Sequence, residues 1–320
     1  MVADETLYRE AIGWRRRLHG LPETGFEEQH TSAFVAERLA AFGLEVHRDL
    51  GGTGVLGVLR GGSANRAIGL RADMDALNIH EANSFDHRST RPGKMHACGH
   101  DGHTAMLLGA AKALAGSPGL DGVICFIFQP AEEHGRGAQA MIADGLFERF
   151  PVEEVHGLHN WPHLPAGAFA TRVGPLMASE DNFEIVVQGV GGHAARPHKV
   201  RDPIVAAAQI VGALQTVVGR SLDPLDSGVV SVTEILTDGT RNVIPSTVTL
   251  KGDTRSFSAK VQEEIETAMA RIVAGVCAAN GVEGQFRYTR EFKPLVTTAE
   301  ATAAALRAAG EVFERVEADC

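Results

Sequence analysis

Long apolar runs are missing from this 320-residue sequence. No stretch approaches the ~18 uninterrupted apolar residues that a membrane span needs, so no membrane partner is expected. The opening MVADETLYREAIGWRRRLHG is charged from Asp4 onward and has no apolar segment before a small-residue cleavage site, which argues against a secretory leader. Cysteine is scarce: Cys98, Cys125, Cys277 and Cys320 are too few and too scattered for a disulfide framework, and a reducing cytoplasm fits. Positive charge is in deficit. With 30 Lys and Arg against 40 Asp and Glu, the formal charge of -10 argues against nucleic acid or an anionic membrane as partner. Internal repeats and low-complexity segments are also absent. What is present, 44% hydrophobic and 22% charged residues, describes a soluble globular protein open to a small-molecule substrate. The length exceeds what one core usually organises, and two domains are expected.

Leu7, Ala11, Trp14 and Leu18, then Phe34, Leu39 and Phe42, fall at helical spacing and predict two opening amphipathic helices. Short apolar runs at 54–59, 67–75 and 122–130 read as buried strands, with a small-residue helix at 103–115 between the last two. A helix near 136–146 leads to a further strand, VEEVHGLHN. This alternation predicts an α/β domain with a central, largely parallel sheet. After residue 178 the pattern changes to strand 182–189, helix 203–219, strands 228–236 and 246–255, helix 259–279 and strand 285–290. That β-α-β-β-α-β order is the ferredoxin-like plan. We therefore expect a first domain made of 1–178 and 291–320, with a smaller α+β domain, 179–290, inserted into it.

Four segments of the first domain carry metal-ligand residue types at strand ends or helix starts, where open α/β sheets collect function. In His96-Ala97-Cys98-Gly99-His100-Asp101-Gly102-His103, a thiolate and an imidazole two residues apart can converge on one point; a polar loop with incidental histidines fits the segment as well. In Phe128-Gln129-Pro130-Ala131-Glu132-Glu133-His134, adjacent carboxylates point in different directions, so one can bind metal while the other faces a reacting water. A solvated pair at a helix start is the alternative. His159, in Gly157-Leu158-His159-Asn160-Trp161, ends a strand and is equally read as a structural histidine. Alternation places Asp73 and Asp75 of RADMDA on one face, able to orient a ligand histidine or merely to cap a loop. In the second domain, His193 lies in the glycine-bearing turn GGHAARPH and can present an N–H to a developing oxyanion, or sit on the surface.

Taken in order, RADMDA, MHACGHDGH, FQPAEE, LHNWP, GVGGHAARPH and NVIP resemble the amidohydrolase group of dinuclear metallopeptidases, which includes hippurate hydrolases and plant indole-acetyl-amino-acid hydrolases. The resemblance runs from about residue 14 to the end. It implies a catalytic domain with an inserted lid or dimerisation domain, and a homodimer formed through that insert. Cys98, His100, Glu133 and His159 become metal ligands, Glu132 the general base, and Asp75 a residue behind the site that contacts a ligand. By the same resemblance His193 stabilises the tetrahedral intermediate, often in the partner's active site, while Asn242 in NVIP and Arg255 in GDTRS hold the tetrahedral oxygen or the substrate carboxylate; an Arg fork suits the latter. His103 and His134 match positions less clearly tied to chemistry, and His96 reads as structural.

The implied reaction is hydrolysis of N-acyl amino acids of hippurate-like or N-acetyl type. Two divalent ions share a bridging water whose proton Glu132 removes. The donor set admits Zn, Mn, Ni or Co. N-acetyl-diaminopimelate deacetylation or general aminoacylase activity are alternative substrates. Members of the group carry a further histidine ligand in a final stretch of several dozen residues, and this sequence ends at Cys320 before it. A fragment, a weakly active product, or an inactive dimerising or metal-binding remnant is therefore also expected from the resemblance. A redox role for Cys98 is disfavoured, because no resolving cysteine lies nearby in sequence.

Overall fold

The computed structural model describes residues 5–318, so Cys320 lies outside the described residues. The chain divides into two units, Met1–Ala166 and Gly167–Cys320. In the first, helices α1 (Glu5–His19) and α2 (Gln29–Ala41) precede strands β1 (Glu45–Leu50), β2 (Gly54–Gly61) and β3 (Ala67–Asp73). Helix α3 (His100–Ala115), strand β4 (Gly122–Gln129), helices α4 (Gly137–Ala143) and α5 (Leu146–Arg149) and strand β5 (Glu154–Gly157) follow. The five strands form one sheet in the order β1-β2-β4-β3-β5.

Helices on both faces explain the unbroken apolar run of β4. Ile124, Phe126 and Phe128 point into a core with Leu18, Phe34, Leu39 and Leu108, while Cys125 and Ile127 point the other way, onto Met141 and Leu146. A strand buried on both faces has no place for alternating polar residues. The sheet is mixed rather than largely parallel: β3 pairs in parallel with β4 and β5, whereas β2 is antiparallel to both β1 and β4. Only the β3–β4 and β4–β5 connections contain helices, and a parallel neighbour needs such a crossover, whereas β1 and β2 form a hairpin. The consequence for function is that β3, β4 and β5 end together on one side of the sheet, with Asp73 paired to Gln129 and Arg71 to Gly157.

The second unit begins with the short strands β6 (Ala168–Ala170) and β7 (Gly174–Met177). There follow β8 (Glu180–Gln188), β9 (Gly192–His193), α6 (Pro203–Thr216), β10 (Gly228–Thr237), β11 (Val243–Ile244), β12 (Thr247–Ser256), α7 (Ala259–Asn280) and β13 (Glu283–Phe292). Strand β14 (Leu295–Thr297), helix α8 (Ala299–Gly310) and strand β15 (Arg315–Glu317) complete it. The antiparallel sheet β10-β12-β8-β13 has the ferredoxin-like order. Its two central strands alternate cleanly: Phe183, Ile185 and Val187 of β8 and Val248 and Leu250 of β12 meet Ile210 and Leu214 of α6 and Ile265 and Met269 of α7.

Asp202 caps α6 by accepting the Ile204 N–H at 2.8 Å, and Ser258 caps α7 through Val261 N–H at 3.2 Å. Helix α6 runs into one π-helical turn, Val217–Ser221. Together, Pro203–Ser221 is long and apolar enough by length and composition to cross a membrane, with a mean hydropathy of 1.3, yet its Ala206, Ile210 and Leu214 are core residues of this unit. Strands β6 and β15 pair in parallel, and β7 and β14 antiparallel, outside the four-stranded sheet.

Candidate metal centre

The side of the sheet where β3, β4 and β5 end gathers most of the residues singled out above. Asp73 is the last residue of β3, and Asp75 follows two positions on. Glu132 and Glu133 come just after β4, His159 just after β5, and His100 is the first residue of α3. Gly99 sets the approach of the helix. Its φ of +91° is left-handed, and a Cβ there would lie 2.2 Å from Asn160 Oδ1. Only glycine lets Cys98 and His100 come this close to the His159-Asn160 segment.

Cys98 Sγ, one His100 ring nitrogen and one Glu133 oxygen lie within 4.8 Å of one another. Cys98 Sγ is also 3.5 Å from His159 Nε2, and His100 Nε2 is 3.8 Å from Glu133 Oε1 and 3.9 Å from Glu132 Oε2. Behind the ring, His100 Nδ1 meets Asp75 Oδ1 at 3.2 Å, and the second Asp75 oxygen accepts the Glu133 N–H at 3.1 Å. His100 Nε2 and Glu133 Oε1 are buried and have no hydrogen-bond partner among the described residues. Buried polar atoms are rarely left so, and the pair offers two donor atoms suited to an electrophile. Thiolate, imidazole and carboxylate are also the donor types of a borderline divalent cation. The residues fit a metal.

The electrostatics agree. Burial disfavours the His100 imidazolium, yet Asp75, Cys98 and Asp73 outweigh it and drive the group up to about 11. Such an excess of negative charge around one ring is what a cation offsets. Burial raises the Glu132 and Glu133 carboxyls while His100 opposes it, and burial lowers His159, favouring the neutral ring a ligand needs.

A second tier was only partly anticipated. His103 Nδ1 meets Asp73 Oδ1 at 2.6 Å, and its Nε2 lies 2.5 Å from Asn160 Oδ1 and 3.0 Å from Asn160 N. His103 follows His100 by three residues, the helical spacing that puts both on one face. Asp73, His100, His103 and His159 thus form a second potential cation-binding group. Burial works against Asp73, but the His103 hydrogen bond and Arg71 hold its carboxyl well below the usual range. His159 is oriented by its Nδ1 contact with Asn160 O at 2.7 Å. His96 is buried with both ring nitrogens unpartnered among the described residues, and burial lowers it to about 4. His134 is exposed.

Sequence reading did not find His19, whose ring joins Asp101 Oδ2 at 2.9 Å to Glu81 Oε1 at 3.0 Å, nor the buried Glu28. His193, Asn242 and Arg255 belong to the second unit. His193 on β9 pairs with Val243 of β11, and Asn242 O accepts the Ala194 N–H at 3.0 Å, so these two segments meet. Arg255 on β12 is held by Glu180 at 2.7 Å and Asp253 at 3.1 Å.

Residues 69–319 match the peptidase family M20/M25/M40. The chain belongs to this family. Membership makes it a hydrolytic enzyme acting on amides. Among its M20 relatives, the hippurate hydrolase of Campylobacter jejuni is 44% identical over 269 residues, covering 84% of this chain and 70% of that protein. The N-acyl-L-amino acid amidohydrolase of Geobacillus stearothermophilus is 42% identical over 290 residues, covering 90% and 78%. A Bacillus subtilis protein whose crystal structure is described as a dinuclear metal-binding peptidase of the M20 family superposes with a TM-score of 0.83 at 33% identity, covering 99% of this chain and 83% of that one.

Proposed function

We propose that the protein cleaves the amide bond of N-acyl amino acids, giving a carboxylic acid and a free amino acid, with two divalent cations at the sheet edge. The observation that carries this reading is the convergence of Cys98, His100 and Glu133 beside Glu132, with buried His100 Nε2 and Glu133 Oε1 that have no hydrogen-bond partner among the described residues. The printed activities of the M20 relatives support the substrate class. Cys98, His100, Glu133 and His159 are the proposed ligands, for Zn, Mn, Ni or Co. Bound there, such cations would supply Lewis acidity, lowering the pKa of a water and polarising the amide carbonyl. Glu132 takes the proton of the attacking water and returns it to the leaving nitrogen. Asp75 holds His100 by Nδ1 so that Nε2 faces Glu133.

His193 is assigned to the tetrahedral oxygen. Its Nδ1 accepts the Ala195 N–H at 3.1 Å, which leaves the proton on Nε2 as an outward donor. Asn242 shares that oxygen, and Arg255 is assigned to the substrate carboxylate. We assign 179–290 to an inserted domain and return 167–178 and 291–320 to the catalytic one. The support is that the β6–β15 and β7–β14 pairs stand outside the four-stranded sheet.

A homodimer through the inserted domain is proposed on its exposed apolar surface: Ile204 and Val205 on α6, and Val229, Ile235 and Leu236 on the edge strand β10. Free Cys98, Cys125 and Cys277 favour a cytoplasmic location. The test is metal analysis and hydrolysis of hippurate, N-acetyl amino acids and N-acetyl-diaminopimelate by the metal-loaded protein. Two bound metals with no turnover on any of them would instead support a metal-binding remnant.

A further inference from the structure

Immediately before the two functional carboxylates, Ala131 adopts a φ of +46°, the left-handed region that residues with a Cβ rarely enter. Its side chain is fully buried, so residue 131 cannot simply relax into solvent. The Ala131 N–H is donated to Glu28 Oε1 at 2.8 Å, from a residue 103 positions away in the chain. Glu28 is itself 0% exposed, and its other oxygen accepts the Thr53 hydroxyl at 2.5 Å. A carboxyl group is costly to bury, and this one gives both oxygens to holding two other segments in place.

The rest of the Glu23–Glu28 segment supports the same frame. A Cβ on Gly25 would lie 3.0 Å from Ala131 Cα and 2.8 Å from His134 Nδ1, so the turn seats directly on the carboxylate loop. Upstream, Glu23 O accepts the N–H of Ala76 at 2.7 Å, and Thr24 forms a bridge with Ala76. Ala76 follows Asp75, whose carboxylate touches both His100 and the Glu133 N–H. One short segment thus braces both the aspartate behind the site and the backbone turn in front of it.

We propose that Glu28 is a positioning residue for amide hydrolysis: by accepting the Ala131 N–H it holds the left-handed turn that directs Glu132 to the reacting water and Glu133 to His100. The inference rests on the functional reading above. It differs from a packing role in one respect: the need for Glu28 comes from the backbone conformation of residue 131, so relieving that conformational demand should reduce it.

The test compares E28A, E28Q, A131G and E28A/A131G as metal-loaded proteins, with hippurate kinetics, cobalt(II) titration and thermal unfolding. Gln keeps an acceptor for Ala131 and turns its amide toward Thr53, so E28Q should keep kcat within about threefold, as expected when a hydrogen bond is conserved. E28A should lose about 10- to 100-fold in kcat with KM little changed, and bind cobalt(II) about tenfold more weakly, the range usual for supports of ligands. E28M, which keeps volume without an acceptor, carries the same expectation if the cavity in E28A prevents folding. Glycine enters the left-handed region freely, so A131G in the E28A background should restore about tenfold of the lost kcat.

Unchanged kcat and cobalt(II) affinity in folded E28A would overturn the proposal. So would an E28Q as impaired as E28A together with no restoration by glycine. A wild-type protein that binds metal but hydrolyses no amide would refute the functional reading instead, and cobalt(II) affinity across the four proteins would still decide the role of Glu28.

Discussion

Asp75 in the first unit and Asp181 in the second are both 1% exposed carboxylates, and the company they keep differs. Asp181 accepts Gln262 Nε2 at 2.7 Å and the Tyr288 hydroxyl at 2.8 Å, so its neutral donors close a finished network inside an apolar unit. Asp75 instead serves His100 and the Glu133 backbone, and each of these residues carries a further buried atom without a hydrogen-bond partner among the described residues. The same residue type at the same burial closes a network in one setting and borders the candidate centre in the other. What separates them is whether the neighbours' hydrogen-bonding capacity is exhausted.

The largest effects should therefore come from the unfinished network. Glu132→Gln should lower kcat by about 10²- to 10⁴-fold while two metals stay bound, since a positioned general base contributes that much. Full hydrolysis by that variant would remove the assignment. His100→Ala should abolish both metal binding and turnover, whereas His193→Ala should keep its metal and lose about 10²- to 10³-fold in kcat, the usual loss for one oxyanion donor. Metal loss from the His193 variant would break the separation between ligand-bearing and oxyanion-bearing residues.

Within the second unit the strongest response should be to packing. Ile210 is fully buried, and Ile210→Ala should cost about 2–5 kcal/mol in denaturant unfolding. Replacing the exposed Ile235 in monomer conditions should change stability by about 0.5 kcal/mol or less. Asp75→Asn should weaken metal binding by about 10- to 100-fold with the ligands intact, as for other residues that orient a ligand histidine. An unchanged affinity would make Asp75 the counterpart of Asp181 after all.

Periodicity made most of the architecture legible. Strand β4 announced itself because both its faces are buried, and the ferredoxin-like order appeared because β8 and β12 alternate with one covered face. Strand direction was less accessible: nothing local marks β2 as antiparallel to β4, since that follows from which connections hold a helix. The same limit governs the site. Cys98 and His100 were readable as a local pair, and His103 lay one helical turn away, but its partner Asp73 is 30 residues distant. Glu28 and His19 carried no local signal, because a single Glu in a polar turn and a single His at a helix end acquire meaning only from Ala131 and Asp101.

The smallest predicted effect sets His19 against the finished network of Asp181. Both ring nitrogens of His19 face carboxylates, and only the protonated ring can donate from both. The Asp101 hydrogen bond raises its pKa above the ordinary 6.5, burial opposes this, and Glu81 adds to the rise. Burial disfavours the Glu81 anion, yet Asn83, His19 and the Ser89 N–H outweigh it and hold the carboxyl near 2, from an ordinary 4.5. The raised histidine contributes stability that is complete below pH 6.5 and fades as pH rises through its folded value. The depressed Glu81 contributes above pH 4.5 and loses its contribution as pH falls toward 2. The stability difference between wild type and Glu81→Gln, read from urea unfolding across pH, should therefore be widest between 4.5 and 6.5 and narrow on both sides. A difference that stayed flat from pH 4.5 to 8 would mean that His19 is neutral in the folded protein. The His19–Glu81 contact would then be a finished network like that of Asp181 rather than a charged one.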